Sequence, residues 1–346
     1  MRRKALVYLG AIWLSGCGYD NPNSGLLSQQ ADQSVLCPSY LEDQDLPLVS
    51  QFTRGQFKHA RNKLMALTLK KAPYHFAKDL ILSAGQSGTM EAKFDYGSIF
   101  HKDLEDELVE AYLYNADTAS WEFLKGLVTD WDGKVYLPVN DMAVGEYAVK
   151  FIVKGDGSTA SGRITVTHPE TPTVIFDLDS TLTTNDLEAI NDYLNIKNAK
   201  LRPAAVQLVK TYETIGYRIV YLTSRPYILI PSTQKWLEDV GLPRGHLYSP
   251  IYFEDSIDVG NHAKFKADYI HYLQSEVGLK ISAAYGNSKS DIEAYESAGI
   301  MKSVTYITGK LAGSQGTVAV ADYQKHIPSI YDQFPSAACK ILQAAL

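Results

Sequence analysis

Residues 174–183 read Val-Ile-Phe-Asp-Leu-Asp-Ser-Thr-Leu-Thr, an apolar run that delivers two carboxylates, Asp177 and Asp179, two positions apart. Side chains two apart on a strand share a face, and where the strand stops the second can turn to a separate task. Phosphoryl transfer needs such a division: a nucleophile, a proton donor for the leaving oxygen, and cations to offset the phosphate charge. Asp177 is the candidate nucleophile, forming an aspartyl-phosphate, and Asp179 the candidate general acid and then base. The plainer alternative is a pair of turn aspartates bonded to their own backbone.

Three later segments bear on the same chemistry. Val220-Tyr221-Leu222-Thr223-Ser224-Arg225-Pro226 is an apolar run ending in hydroxyls. Thr223 is placed to donate to a phosphoryl oxygen, Ser224 is the register alternative, and capping of the next helix is the bland use. Lys264 and Lys266 open a helix, and either could neutralise the phosphate and hold Asp177 ionised. Lys266 is preferred, although surface lysines on a solvated helix face would look the same. Finally, Gly286-Asn287-Ser288-Lys289-Ser290-Asp291 sets an amide and a carboxylate four apart after another apolar run. Hard oxygen ligands suit magnesium. Asp177, the carbonyl of Asp179, and Asn287 or Asp291 would form its shell. Thr181, Ser224, Arg225 and Lys264 are the expected further contacts to the substrate.

These residues need a scaffold that brings strand ends together. Beyond residue 172, apolar strands near 174–176, 218–222, 281–285 and 303–307 alternate with amphipathic helices near 202–215, 230–240, 264–277 and 291–298. That alternation predicts a Rossmann-like doubly wound parallel sheet, whose ligands sit at the carboxyl ends of the strands. Residues 74–167 have another texture. Seven short β-patterned runs, near 75–82, 89–96, 107–114, 121–128, 134–139, 146–153 and 162–166, are separated by turn signals such as Asp132-Gly133. They predict an immunoglobulin-like β-sandwich in architecture only, because the Cys–Trp–Cys core of antibody domains is absent. His168-Pro169-Glu170-Thr171-Pro172 reads as the linker, and 57–69 as one helix.

The four motifs, in this order, resemble those of the haloacid dehalogenase superfamily. Asp177-Leu178-Asp179-Ser180-Thr181-Leu182-Thr183, Tyr221-Leu222-Thr223-Ser224-Arg225, Leu247-Tyr248-Ser249-Pro250, Lys264-Phe265-Lys266 and the run from Tyr285 to Tyr295 are similar to the catalytic domain of lipins, which are phosphatidate phosphatases. The resemblance covers about residues 172–310, and its most telling part is Gly286-Asn287, where most relatives have Gly-Asp. It implies Asp177 as nucleophile, Asp179 as acid and base, Thr223 as phosphoryl ligand, and Asn287 and Asp291 at the metal. Two departures stand out: Thr223 replaces the usual serine, and Asn261-His262 stand where Lys-Pro is usual. Lipins pair an immunoglobulin-like fold with this domain. The same domain, without working aspartates, occurs in some phosphatidylinositol transfer proteins.

The resulting expectation is a magnesium-dependent phosphoric monoester hydrolase acting on phosphatidate or a similar phospholipid to give diacylglycerol and phosphate. Only 45 residues lie between Asp177 and Thr223, too few for a large cap, so the site would be open. A soluble phosphomonoesterase of the same mechanism is one rival. A non-catalytic phosphatidate-binding module is the other, against which the presence of both aspartates counts.

The remainder concerns location. Arg2-Arg3-Lys4, an apolar stretch to Leu14, and Leu14-Ser15-Gly16-Cys17 resemble a lipoprotein signal with its lipobox. This predicts an exported protein, lipid-anchored at Cys17 to a bacterial membrane facing the periplasm or cell surface. The chain then divides into a leader (1–17), a tether with a helical segment (18–72), the sandwich (73–170) and the phosphatase-like domain (171–346). Cys37 and Cys339 could pair in an oxidising compartment or stay free. A net charge of −6 excludes a general nucleic-acid binder.

Overall fold

The computed structural model describes residues 46–69, 74–97, 102–184, 199–250 and 261–337, together with the backbone of 35–36 and 339–340. The leader, Cys17 and Cys37 lie outside the described residues. Strand β1 (Val35–Leu36) pairs in parallel with the last strand, Cys339–Lys340.

After helix α1 (Ala60–Thr68), short strands build a two-layered sandwich: β2 (Phe76–Ala77), β3 (Leu80–Ser83), β4 (Gly88–Lys93), β5 (Asp95–Tyr96), β6 (Lys102–Asp103), β7 (Leu108–Asn115), β8 (Ser120–Val128), β9 (Lys134–Val139), β10 (Gly145–Val153) and β11 (Thr159–Thr167). One sheet runs β3-β11-β10-β7-β8 and the other β2-β4-β9, with the β5–β6 pair beside them. Alternating residues such as Val109, Ala111, Val149 and Phe151 face Met90, Ala92, Val135 and Leu137 in a buried apolar core. On the outer face, Tyr112, Trp121, Ala148 and Ile152 are covered by Leu46, Val49 and Phe52, and Trp121 Nε1 donates to the Pro47 carbonyl at 2.7 Å. The single run expected over 75–82 is two strands in different sheets. The break falls at Lys78-Asp79, where the buried Asp79 carboxylate accepts from the backbone N–H groups of Arg163 (2.9 Å) and Leu247 (3.3 Å) instead of extending a strand.

The second sheet is wholly parallel. Strands β12 (Pro172–Phe176), β13 (Arg218–Leu222), β14 (His246–Tyr248), β15 (Lys280–Gly286), β16 (Thr305–Ile307) and β17 (Val318–Ala319) lie in the order β14-β13-β12-β15-β16-β17. Helices α2 (Ala205–Thr214), α3 (Ile230–Asp239), α4 (His262–Ser275), α5 (Lys289–Ser297) and α6 (Tyr323–Gln333) flank it. The strand period sorts the layers: Val174 and Phe176 pack with Leu208, Tyr212, Ile230 and Ile330, whereas Ile175 packs with Ile270, Leu273, Ala294 and Tyr295. The chain moves outward one way from β12 to β14 and the other way from β15 to β17, so the topological switch lies between β12 and β15. The architecture is therefore a β-sandwich followed by an α/β parallel sheet.

The expected linker is not a loose tether. Glu170 N–H donates to the Gly278 carbonyl at 2.8 Å, and Thr171 Oγ1 donates to the His168 carbonyl. Side chains also cross between the two sheet systems: Arg218 pairs with Glu146 at 2.7 Å, Tyr272 Oη donates to the Ile81 carbonyl at 2.8 Å, and Tyr227 Oη donates to Asp95 at 2.5 Å.

Candidate functional site

The switch point carries the site. Asp177 follows β12 directly, and its N–H donates to the Tyr285 carbonyl across the strand gap at 3.0 Å. The chain then turns sharply at Ser180, which holds a left-handed φ of 57°. Arg202 donates to the Ser180 carbonyl through Nε (3.1 Å) and Nη2 (2.7 Å), and Tyr323 Oη donates to the Thr181 carbonyl at 2.7 Å. This turn swings Thr181 back, so that its Oγ1 donates to Asp177 Oδ2 at 2.8 Å.

Lys266 reaches the same place from α4. Its Nζ lies 2.7 Å from Asp177 Oδ1 and 2.6 Å from Asp291 Oδ1, and all three side chains are buried. Burial lowers the proton affinity of Lys266, but the two carboxylates overrule it and the group is held well above the ordinary lysine value. One ammonium serves two acids. Burial pushes Asp291 up, yet Lys266 and the backbone and hydroxyl donors around it win, and it stays below the usual carboxylate range. Asp177 is the acid left short: burial pushes it to about 7 against the pull of Lys266.

Both oxygens of Asp291, an expected metal ligand, have partners within the site. One oxygen takes Lys266. The other accepts from the Asn287 N–H (3.0 Å), the Ser288 N–H (2.9 Å) and the Ser288 hydroxyl (2.7 Å) in a capping box at the start of α5. Gly286 is needed here because a Cβ would meet that of Asp291 at 2.6 Å. Lys264, the other lysine named from sequence, lies elsewhere. It is exposed, pairs with Asp268 one turn along α4, and does not enter the site.

Asp179 turns away from Asp177, as a strand end permits. Arg225 Nε and Nη2 grip its two oxygens at 2.9 and 2.7 Å, and Arg225 Nη1 donates to Thr233. Thr223 directly follows β13 and is buried; its N–H donates to the Tyr248 carbonyl and its Oγ1 accepts from the Arg225 N–H. Ser224 keeps its hydroxyl in the interior.

Among the described residues, no three His, Cys, Asp or Glu side chains converge on a metal position. Oxygens of other kinds do. The inward-facing atom of the Asn287 carboxamide lies 3.0 Å from the Asp179 carbonyl oxygen, 3.3 Å from Asp177 Oδ2 and 3.1 Å from Thr181 Oγ1. As nitrogen it donates to all three. As oxygen it completes a hard-oxygen set whose donor chemistry fits magnesium.

Arg202 and Tyr323, which brace the Ser180 turn, were not foreseen. They come from chain segments without a motif.

Two family models match in this order along the chain: residues 73–166 match PITM 1-3, beta-sandwich domain, and residues 174–309 match PITM 1-3, LNS2 domain. Protein retinal degeneration B of Drosophila melanogaster is 29% identical over 266 residues, 75% of this chain and 20% of that protein. Membrane-associated phosphatidylinositol transfer protein 3 of Homo sapiens is 30% identical over 241 residues, 68% of this chain and 23% of that protein. The chain thus spans about a fifth of the length of these relatives. Among solved structures, D,D-heptose 1.7-bisphosphate phosphatase from B. bronchiseptica aligns with a TM-score of 0.34 at 12% identity, over 46% of this chain and 98% of that one, which is too distant to carry an argument.

These findings correct the reading drawn from motifs. The similarity runs through both sheet systems to the PITM 1-3 and retinal degeneration B proteins, not to a bacterial lipin-type phosphatase. The enzyme reading falls with it, since the human relative is named for phosphatidylinositol transfer. The Asp179 carboxylate, the expected general acid, is held by Arg225. The lipoprotein reading of the leader also finds no support among these relatives. The human relative is named as membrane-associated, and among the described residues no helix is long and apolar enough to cross a membrane.

Proposed function

We propose that this chain is a non-catalytic recognition module for the phosphate headgroup of a membrane phospholipid, with phosphatidate the best fit. The observation that carries the reading is the buried cation at the switch point, Lys266, set between Asp177 and Asp291, with the Thr181 hydroxyl donating to Asp177. Here the aspartates hold cations in place. Asp177 fixes Lys266, and Asp179 fixes Arg225. Thr223, Lys266 and Arg225 face the phosphate, with Thr181 beside them. The frame is of haloacid dehalogenase type, and the sandwich (73–170) and the α/β domain (171–346) are its two parts. Asp177, the Asp179 carbonyl and Asn287 would hold magnesium, which supplies extra positive charge for the phosphate.

Vesicle flotation tests this. The chain should rise with vesicles containing phosphatidate and not with phosphatidylcholine vesicles alone, and chelation of magnesium should weaken the binding. Thr223→Val keeps the shape of a buried side chain and should reduce binding about tenfold or more, the scale of one hydrogen bond to a charged group, about 1.5–3 kcal/mol. Equal flotation with both vesicle types would remove the phosphate from the account.

A further inference from the structure

Helix α4 has a second working face. Lys266, Ile270 and Leu273 turn inward, while Phe265, Asp268, Tyr269 and Tyr272 form a stripe on another side at i, i+3, i+4 and i+7. That stripe walls a cleft of about 460 Å³ whose opposite wall is the Lys78–Ile81 step and Glu91 of β4 in the sandwich. The volume is that of a small-molecule site.

The lining has a particular chemistry. The rings of Phe265, Tyr248, Tyr269 and Tyr272 stack in a ladder, with neighbouring planes within 22° of parallel. One of these rings already holds a cation: Lys78 Nζ lies 4.4 Å from the centroid of Tyr248. Carboxylates outnumber ammonium groups in the lining, with Asp79, Glu91 and Asp268 against Lys78. Glu91 has Lys134 at 3.4 Å, Asp268 is paired with the exposed Lys264, and Asp79 accepts backbone N–H groups. Ring faces attract cations, most strongly when the cation is desolvated, and a quaternary ammonium sheds water more readily than a lysine ammonium.

We propose that this cleft is a binding site for a compact organic cation of the quaternary-ammonium class, with the Lys78 side chain as its built-in competitor for the Tyr248 ring. The site is separate from the phosphate site and faces the other way from α4. Occupation requires Lys78 to leave the ring and the ammonium ligand to take its place beside Glu91 and Asp268.

Calorimetric titration of the full chain tests the assignment, using choline and its neutral isostere 3,3-dimethyl-1-butanol as probes. Choline should bind and the alcohol should bind at least about tenfold more weakly, the scale of a partly desolvated cation–ring contact. Lys78→Met should tighten choline binding about threefold or more by removing the competitor, whereas the exposed Asp268→Asn should weaken it. No binding of choline, equal binding of the alcohol, or a Lys78→Met protein that binds choline no better would each overturn the proposal.

Discussion

Replacing Lys266 with methionine removes the one positive charge from a buried three-way cluster and keeps most of the side-chain volume. The side chains concerned are 4% (Lys266), 7% (Asp177) and 1% (Asp291) exposed, so little water can compensate. Breaking a buried pair by deleting one partner costs about 3–5 kcal/mol, and here two like charges are left facing each other. The variant can recover by protonating the acids. A carboxylate whose folded pKa is raised above its unfolded value holds a proton that the unfolded chain has released, so its stabilising share is present at low pH and is lost as pH rises. Asp177 is already pushed to about 7 with Lys266 in place, and without it the window extends upward. Urea unfolding should therefore show a loss of about 3–5 kcal/mol near pH 8 and a clearly smaller loss near pH 5. Adding Asp177→Asn and Asp291→Asn to Lys266→Met should restore much of the stability at the higher pH. A loss below about 1 kcal/mol at both pH values would refute the buried cluster.

Two further outcomes follow from single positions. Asp95 is fully buried among Lys93, Asp103, Asp132 and Tyr227, and burial pushes it to about 7 from an ordinary 3.8. Between those values only the folded state holds the proton, so wild-type stability should fall across that window by at most about 4 kcal/mol relative to Asp95→Asn; parallel melting curves from acid to neutral pH would contradict this. Gly286→Ala would place a methyl group 2.6 Å from Asp291 Cβ and should cost about 1–3 kcal/mol while weakening phosphatidate binding, and unchanged values by denaturant titration and flotation would count against the tight β15–α5 corner.

Much of the site was legible because local rules placed it. The apolar run at 174–176 had to be a strand, and Asp177 had to stand at its end. Local sequence offers little to separate the preferred Lys266 from Lys264, since both lie near the start of α4; the phase of Ile270 and Leu273 inside the core puts Lys266 on the buried side. The role of Asp291 could have been read more closely: Ser288 followed by an acid three residues later is a helix-start signal, and the cap claims one of its oxygens. The Arg225–Asp179 grip joins residues 46 apart, and no local pattern encodes it. Helix α6 escaped notice because Pro328 lies inside it and reads as a stop. Short motifs also misled on function. The aspartates suggested hydrolysis, while the similarity along 73–166 and 174–309 leads to transfer proteins.

Phosphorus NMR of short-chain phosphatidate mixed with the full chain and magnesium addresses binding and turnover in one sample. A non-catalytic phosphate site around Lys266 predicts a shifted or broadened monoester resonance that moves back toward its free position with Thr223→Val, and no inorganic phosphate over many hours. Growth of an inorganic phosphate signal, or a monoester resonance indifferent to the protein, would contradict the account.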